Sequence, residues 1–513
     1  MIKVMAGNPF LLKGRITRGV EPLVNRQIAC ALISSNYWSS TEYNSNNAWN
    51  VNFPGFNSNN NNKNNSNVVR AIAALDEKDK VSVLEAFEDC CIHKKGTAQC
   101  IYFRLNPELV LVLALLIFTR TYFPGVSEAF IVTHPKLREI FAAWFIDRIV
   151  QHWIYLRINP LFEDRFRSMG DVSFNCRKGY ETIAARQRVY DDMRKYGFSF
   201  VLYVGRFDIS SCFMSIDVRI LWRLLEPFIR EKYHGDDIET LLYLSKITIF
   251  HRPQDNCIRK GNLSLWGQLQ ASKSMFGKDP YTGMPIGNIT TQILFNFFMS
   301  FFDEWALNRI RQLGYTKPEE HYARFVDDFT FHSMPIEHIM MLYREARVWL
   351  SENLHLTLHP DKIYIQQQRH GVKFVGGDIV EHGIYIINRT VGAMMDKAIE
   401  TDNLCEEIVK DGITEERLDK LKHLVSSMNS YSGFLKHGKT YNLQKLILLA
   451  LPYFWKVCYT AKNLSVIKIK SKYQLSKYLY HEQAVQRRIT TSFCARPRYS
   501  FPDDKFLRRN RGW

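Results

Sequence analysis

Two carboxylate sites about 120 residues apart, each set where a strand pattern breaks, constrain the fold of this chain more than any other feature. Asp208 closes FVLYVGRFD (200–208), an apolar run rich in aromatic and β-branched residues that reads as a buried strand. Asp327 and Asp328 form the tip of HYARFVDDFTFHS, flanked by apolar and polar residues as in a β-hairpin. Two adjacent acids between aromatic strands are costly unless something neutralises them. Mg²⁺ suits that task, because it prefers carboxylate oxygen, keeps some of its waters and is completed by substrate phosphates. Two such ions about 4 Å apart would activate an attacking hydroxyl and stabilise a departing pyrophosphate in an in-line phosphoryl transfer. An isolated acid pair is usually a solvated turn, so the surrounding sequence has to carry the reading.

That sequence is globular. The chain has 513 residues, 46% of them hydrophobic, enough for a large core and about three structural units. Its 68 Lys+Arg against 51 Asp+Glu leave a net charge of +17. A basic excess of this size points to nucleic acid rather than an anionic membrane, since no amphipathic or spanning segment accompanies it. The longest apolar run, 109–118, has ten residues, short of the roughly 20 a bilayer needs. The first twenty residues carry Lys3, Lys13, Arg15 and Arg18 and no uninterrupted apolar stretch, so no secretion signal is expected. Ten cysteines without a CxxC pair point to reduced thiols in a cytoplasm. Cys90, Cys91, His93 and Cys100 lie close together, in a spacing that matches no standard zinc finger.

Composition changes twice along the chain. Between 36 and 67 fourteen of 32 residues are asparagine, mixed with Ser, Tyr37, Trp38, Tyr43 and Trp49. With few aliphatic residues and little periodicity, this stretch reads as a polar linker. From 76 to about 460 apolar periodicity persists. Ile216, Ile220, Leu224 and Phe228, four apart, mark an amphipathic helix, and strand and helix patterns alternate as in a mixed α and β protein. Residues 461–513 carry thirteen Lys/Arg and three acids, interleaved with Tyr473, Tyr478, Tyr480, Phe493 and Tyr499. That pattern is either a solvated tail or a surface for RNA or an acidic protein.

Between the carboxylate sites lies GMPIGNITTQILFN, a Gly/Pro loop opening a long apolar helix, whose glycines allow a backbone to approach a ligand closely. Downstream come LHLTLHPDKIYI and then GVKFVGG. With these elements in this order, residues 95–460 resemble the reverse transcriptases. The resemblance implies an α+β right-hand polymerase of fingers, palm and thumb, with an antiparallel palm sheet, a helical thumb and, here, an irregular Asn-rich N-terminal segment. The expected boundaries are 1–75 for that segment, 76–199 for fingers, 200–387 for palm with part of the fingers, 388–460 for thumb and 461–513 for a basic tail. Asp208 and Asp327 would be the metal ligands, assisted by the carbonyl of Ile209 and with Asp328 close by, holding two Mg²⁺ ions or Mn²⁺ in their place. Phe213 matches the aromatic gate that blocks a 2′-hydroxyl, which speaks for dNTPs and against an RNA-dependent RNA polymerase. Lys362 matches the position implicated in protonating the pyrophosphate or guarding the nucleotide. In KLREIFAAWFIDRIVQH, Arg138 falls where the family contacts the triphosphate, a role that suits the bidentate guanidinium fork, while Arg148 is expected to be structural. Arg177 and Lys178, in FNCRKGYETIAARQRV, would touch template. Gly371 to Gly377, with Gly376 and Gly377 at its end, resembles the primer grip.

Most relatives carry a glutamine before the second glycine of the loop, whereas here Ile286 precedes Gly287 and Thr291-Gln292 follow. MPIGNITTQ therefore resembles the form found in diversity-generating retroelements, usually LPIGNLTSQ, and REIFAAWFIDR, CRKG and NSYSGFLKH fit the same subfamily. Ile286, Gly287 and Gln292 thereby join the nucleotide site. Ile286 offers shape where glutamine would offer a hydrogen bond, and this subfamily is known for copying adenines unfaithfully. The Asn-rich stretch resembles the variable end of the C-type-lectin-like proteins such elements diversify. Asparagine codons are AAC or AAT, so residues around 31–75 read as a template repeat translated in frame. The resemblance further implies template RNA, primer or cDNA and dNTPs as ligands. It also implies an accessory variability-determinant protein that assembles as a small helical ring, no membrane, and a cytoplasmic setting in a bacterium or phage-infected cell. No HNH-type nuclease or RNase H pattern follows. The alternative enzyme is a retron or phage-defence reverse transcriptase. The alternative class is an inactive RNA-binding scaffold, against which the intact carboxylates and gate speak.

Overall fold

The computed structural model describes residues 75–92, 94–133, 136–435, 440–462, 464 and 466–474, together with the backbone of three strands within 36–62. The chain divides into two compact units, Met1–Val375 with Ile379–Gly383, and Gly376–Asp378 with Ile384–Trp513.

The first unit is built on a five-stranded sheet in the order Tyr364–Gln367, Tyr203–Asp208, Asp328–Met334, Tyr322–Phe325, Ser173–Phe174. The first four strands run antiparallel, as expected, but Ser173–Phe174 joins Tyr322–Phe325 in parallel. Helices precede and follow this short strand (Phe145–Ser168 and Thr182–Tyr196), so no tight hairpin dictates its direction. On the buried face Phe207 lies 5.5 Å from Phe329 and stacks on Tyr343 of helix Ile336–Trp349 at 5.3 Å and 15°. A Cβ at Gly205 would stand 2.8 Å from Ile339 Cγ2, so the helix lies close to the sheet because position 205 has no side chain.

Helices Phe145–Ser168 and Ile289–Gln312 meet through Phe162 and Phe297, stacked at 4.5 Å and 16°. Ile289–Gln312 is buried from Ile293 to Ser300, as a core helix should be, and carries Glu304, Arg309 and Arg311 toward its C-terminal end. The expected amphipathic helix is Val218–Lys232. Its core stripe is Val218, Leu221, Leu225 and Ile229, and Leu224 and Phe228 fall to its half-buried flank. A strict four-residue spacing drifts around a helix of 3.6 residues per turn, so the 3-4-4 stripe wins the core. A second sheet pairs Arg138–Ala142 antiparallel with Ser127–Val132, which pairs in parallel with Cys257–Arg259.

The apolar run at 109–118 is helix Glu108–Phe118, with Leu109, Val110, Val112, Leu113, Ala114 and Ile117 in the core. Among the described residues no single helix is long and apolar enough to cross a membrane. Ala98–Leu105 and Glu108–Phe118 reach that length only as a pair, bent by 88°.

The second unit packs helices Asn388–Asp411, Glu415–Leu435 and Tyr441–Leu449 around Met394, Cys405, Leu421, Met428 and Phe454. Its last described elements are a hairpin, Cys458–Ala461 with Val466–Ile469, and the short helix Ser471–Gln474. The expected helical segment ending at 460 thus ends inside a hairpin. VIKI alternates with Ile467 and Ile469 buried and Lys468 exposed, and the Asn429 amide bonds both backbone groups of Ile467, at 2.9 and 2.6 Å. The rest of the expected tail, 475–513, lies outside the described residues.

Asn36–Glu42, Asn47–Asn52 and Asn57–Asn62 form a three-stranded antiparallel sheet, with Asn36 opposite Asn52 and Asn47 opposite Asn62. This corrects the expectation of a wholly irregular segment. Tyr37, Trp38, Trp49 and Val51 favour strand strongly enough to offset the asparagines. The remainder of 1–74 lies outside the described residues.

Candidate catalytic carboxylate site

Strand pairing brings the acids together. Asp208 and Asp328 are direct cross-strand partners, and Asp328 also faces Phe325 across the hairpin, which leaves Val326 and Asp327 as a two-residue turn. Val326 has φ +59°, costly for a β-branched residue, so the surrounding structure has to hold it. Part of the hold comes from the chain leaving Asp208. The Ile209 N–H donates to the Asp327 carbonyl at 3.2 Å, Ser210 N–H to the Thr357 carbonyl at 2.9 Å, and His359 N–H to the Asp208 carbonyl at 2.8 Å.

The electrostatics are unbalanced. Burial, with Asp208 adding to it, pushes the Asp327 carboxyl up to about 6 against the pull of Lys362 and Arg138. Burial pushes Asp328 up to about 7, opposed by Arg206 and reinforced by Asp208 and Asp327. Lys362 Nζ lies 2.7 Å from Asp208 Oδ1. Arg206 Nε is 3.7 Å from Asp328 Oδ1, a buried oxygen with no hydrogen bond. The described cations therefore leave three ionised carboxylates incompletely balanced, and the residues present fit a bound cation. Among the described residues no three His, Cys, Asp or Glu side chains group so as to hold a metal by themselves. Paired carboxylates with open sides suit a hard cation that retains water and takes phosphate oxygens. Cys90, Cys91 and Cys100 are buried free thiols, and His93 lies outside the described residues.

The other expected nucleotide residues are tied to each other by backbone bonds. Phe213 sits in the short 3₁₀ turn Cys212–Met214, its ring 4.7 Å from Phe295, and its carbonyl accepts the Met284 N–H at 2.8 Å. Two residues on, the Ile286 carbonyl accepts the Phe141 N–H at 2.9 Å, and the Ile286 side chain packs with Ala129, Phe141, Met214 and Met275. Gly287 has φ +125°, and a Cβ there would stand 2.9 Å from the Phe141 carbonyl oxygen. The Cys212–Met214 turn and the Gly/Pro loop are thus fastened to strand Arg138–Ala142, whose first residue, Arg138, is exposed. Gln292 is exposed on the first turn of Ile289–Gln312. Gly376, at φ +76°, and Gly377, which opens strand Gly377–Val380, belong to the second unit.

Arg177 corrects the expectation of a template contact. Its side chain is 1% exposed, with Nη2 2.9 Å from Glu163 Oε2 and 2.6 Å from Asp171 Oδ1 and Nη1 donating to the Ser173 carbonyl. The guanidinium also stacks 3.9 Å over Tyr180. Two carboxylates and a ring use up the fork that would grip phosphate, whereas Lys178 is exposed. Arg148 is structural, as expected, donating from Nε to the Ala143 carbonyl at 2.7 Å.

Sequence reasoning missed several residues. Arg206 precedes Asp208 by two on a strand, hence shares its face, a signal that was available. Glu139 is fully buried and accepts from Trp266 Nε1 (2.8 Å), the Ser274 hydroxyl (2.8 Å) and the Met275 N–H (2.7 Å), fastening this segment to the strand that starts at Arg138. Asp303 and Asn296, seven apart on the buried part of helix Ile289–Gln312, share a face and both meet Arg324.

Residues 134–379 match the family described as reverse transcriptase (RNA-dependent DNA polymerase). Among solved structures, the apo telomerase of Candida tropicalis truncated from the C-terminal domain is similar at 12% identity and TM-score 0.36, covering 52% of this chain and 56% of that one. The telomerase of Candida albicans in complex with the TWJ fragment of telomeric RNA is similar at 13% identity and TM-score 0.33, covering 64% and 59%. The chain therefore spans little more than half the length of these proteins. No curated protein matches the sequence. The stretch that matches the reverse transcriptase family, residues 134–379, includes Asp208, Asp327 and Asp328.

Proposed function

We propose that this chain is an RNA-directed DNA polymerase with fingers, palm and thumb, and that Asp208 and Asp327, with the Ile209 carbonyl and Asp328 beside them, hold two Mg²⁺ ions. The observation that carries this reading is the convergence of three carboxylates in surroundings that raise Asp327 to about 6 and Asp328 to about 7. When bound, the metal pair supplies activation of a primer 3′-hydroxyl and stabilisation of the departing pyrophosphate. Arg138 is the cation for the incoming triphosphate, and Phe213 excludes a ribose 2′-hydroxyl. Lys362 supplies a proton to the pyrophosphate or guards the nucleotide, a role supported by its place 2.7 Å from Asp208. Lys178, with Gly376 and Gly377, serves template and primer. The test is dNTP incorporation on a primed RNA. Asp327→Asn should lower the rate by more than about 100-fold, because losing even an outer partner of a metal costs 10–100-fold. A folded D327N enzyme working at the wild-type rate overturns the proposal.

Within that class, Ile286 before Gly287, the Thr291-Gln292 that follow, and REIFAAWFIDR, CRKG and NSYSGFLKH support a diversity-generating retroelement. Its enzyme copies a template repeat into adenine-mutagenised cDNA for a target gene, with an accessory ring-forming protein as partner, in a bacterial cytoplasm. The asparagine codons of 36–67 support the same reading. Adenine-biased errors in cDNA from the purified complex are expected, and evenly distributed errors would favour a retron or phage-defence enzyme instead. Recoding the asparagine stretch synonymously should reduce target diversification; unchanged diversification sinks the template-repeat reading.

A further inference from the structure

We infer that Arg324, clamped by Asp303 and joined to Asn296, is a positioning residue that holds the Val326–Asp327 turn and with it the Asp327 carboxylate; this rests on the polymerase reading above. Arg324 lies on strand Tyr322–Phe325 and is fully buried, as is Asp303. Its Nε and Nη2 grip Asp303 Oδ1 and Oδ2 at 2.7 and 2.6 Å, and the Tyr322 hydroxyl donates to the same Oδ1 at 2.7 Å. The remaining nitrogen, Nη1, donates to the Val326 carbonyl at 3.0 Å and to Asn296 Oδ1 at 3.3 Å. Asn296 Nδ2 in turn donates to the Asn175 carbonyl at 2.8 Å. Asn175 and Cys176 have φ +74° and +55°, in the turn that leads to the exposed Lys178.

The arrangement makes poor sense as a source of stability. A buried ion pair contributes little beyond what apolar packing of the same volume would, and it is costly to break. It makes good sense as a device for geometry. Val326 is β-branched and held at φ +59°, a conformation that persists only where neighbours over-determine it. The Arg324 bond fixes the orientation of the Val326–Asp327 peptide from one side, and the Ile209 N–H fixes the Asp327 carbonyl from the other. A planar fork can satisfy Asp303 with two nitrogens while aiming a third at the turn, which an ammonium cannot. Asn296 extends the hold to the turn preceding Lys178, so the two left-handed turns share one buried hydrogen-bond network.

Two variants of the full chain test this. Arg324→Lys keeps the charge and loses the fork, and Asn296→Leu removes an acceptor of Nη1 without leaving a charge unpaired. For each, kcat for dNTP addition on a primed RNA should fall by about 10-fold or more, the usual cost of losing an outer partner of a metal ligand. The KM for dNTP and the affinity for primed RNA should stay within about twofold. The Mn²⁺ concentration that half-saturates the free enzyme, followed by electron paramagnetic resonance, should rise by a comparable factor. Thermal melts identify which variant folds; if R324K does not, N296L carries the test. A folded variant with wild-type kcat and wild-type Mn²⁺ binding overturns the inference. A wild-type chain that adds no dNTP would count against the polymerase reading instead, and the Mn²⁺ comparison would still decide the role of Arg324.

Discussion

Phe213 is held on two sides, by the Phe295 ring at 4.7 Å and by the bond from Met284 N–H to its own carbonyl, so its bulk stands at a fixed place beside Asp208 in the chain. Phe213→Ala should therefore narrow the preference for dGTP over GTP, measured as the ratio of kcat/KM values, by about 10- to 200-fold, the range for removing part of an apolar wall. An unchanged ratio would strip Phe213 of the gate role. At this scale the acids were legible, because an aspartate in an aromatic strand pattern breaks a rule that few structural needs justify. Arginines were not. CRKG advertises two charges at 177 and 178, but nothing local reveals that Glu163 and Asp171 enclose the first of them. YARF gives no hint that Arg324 points inward, since only the folded helix Ile289–Gln312 brings Asp303 and Asn296 to it.

The strand that ends at the Val326–Asp327 turn is preceded by a titratable pair, Glu320 and His321. His321 lies between the rings of Tyr196 at 4.6 Å and Tyr315 at 4.4 Å. Burial holds its imidazole down to about 4, with His332 adding to the effect and the His332 carbonyl, Asp192 and Glu320 opposing it. Burial raises Glu320, yet hydrogen bonds from Lys195 and Tyr196 hold it down at about 2. Both folded values lie below the unfolded ones, about 6.5 for His and about 4.3 for Glu. In each window the unfolded chain binds the extra proton, so stability is lost as pH falls. His321 contributes fully above pH 6.5 and its share is gone by about 4; that of Glu320 goes between about 4.3 and 2. His251, which burial also lowers to about 4, shares the first window. Asp327 and Asp328, raised to about 6 and about 7, act in the opposite sense over the same range. The share of His321 is therefore read as a difference: as pH falls from 6.5 to 4, the Tm of His321→Gln should rise relative to that of the wild type. A constant difference between the two proteins would rule His321 out. Elements were legible wherever one period ran long enough: helix Ile289–Gln312 and the hairpin strands on either side of Asp327 fall on their patterns, but of the strand expected over 200–208 only Tyr203–Asp208 forms, with Phe200 and Val201 exposed ahead of it. The hairpin after 457 was not, because four-residue strands give too few alternations to stand out from a basic tail.

Across the whole chain the +17 is uneven, with +5 in 1–75, +2 in 76–460 and +10 in 461–513. The folded hairpin changes where that last excess can be cut away. Removing everything after 460 would take Val466–Ile469 from its partner Cys458–Ala461 and leave Asn429 with two broken bonds, so any loss of binding would be confounded with damage to the second unit. Cutting after Gln474 keeps every described element and still removes nine Lys/Arg and three Asp/Glu, a net of +6. If those side chains meet RNA phosphates, each contact releases counterions, and log K for RNA falls with log salt by about 0.7 per contact on a single strand. The shortened chain should then bind primed RNA more weakly at low salt, with a salt slope shallower by as much as about 6, while its KM for dNTP is unchanged. An unchanged slope would take RNA away from the tail and leave an acidic protein surface as the partner its cations fit, since nearly balanced charge over 76–460 gives the basic excess no counterpart there.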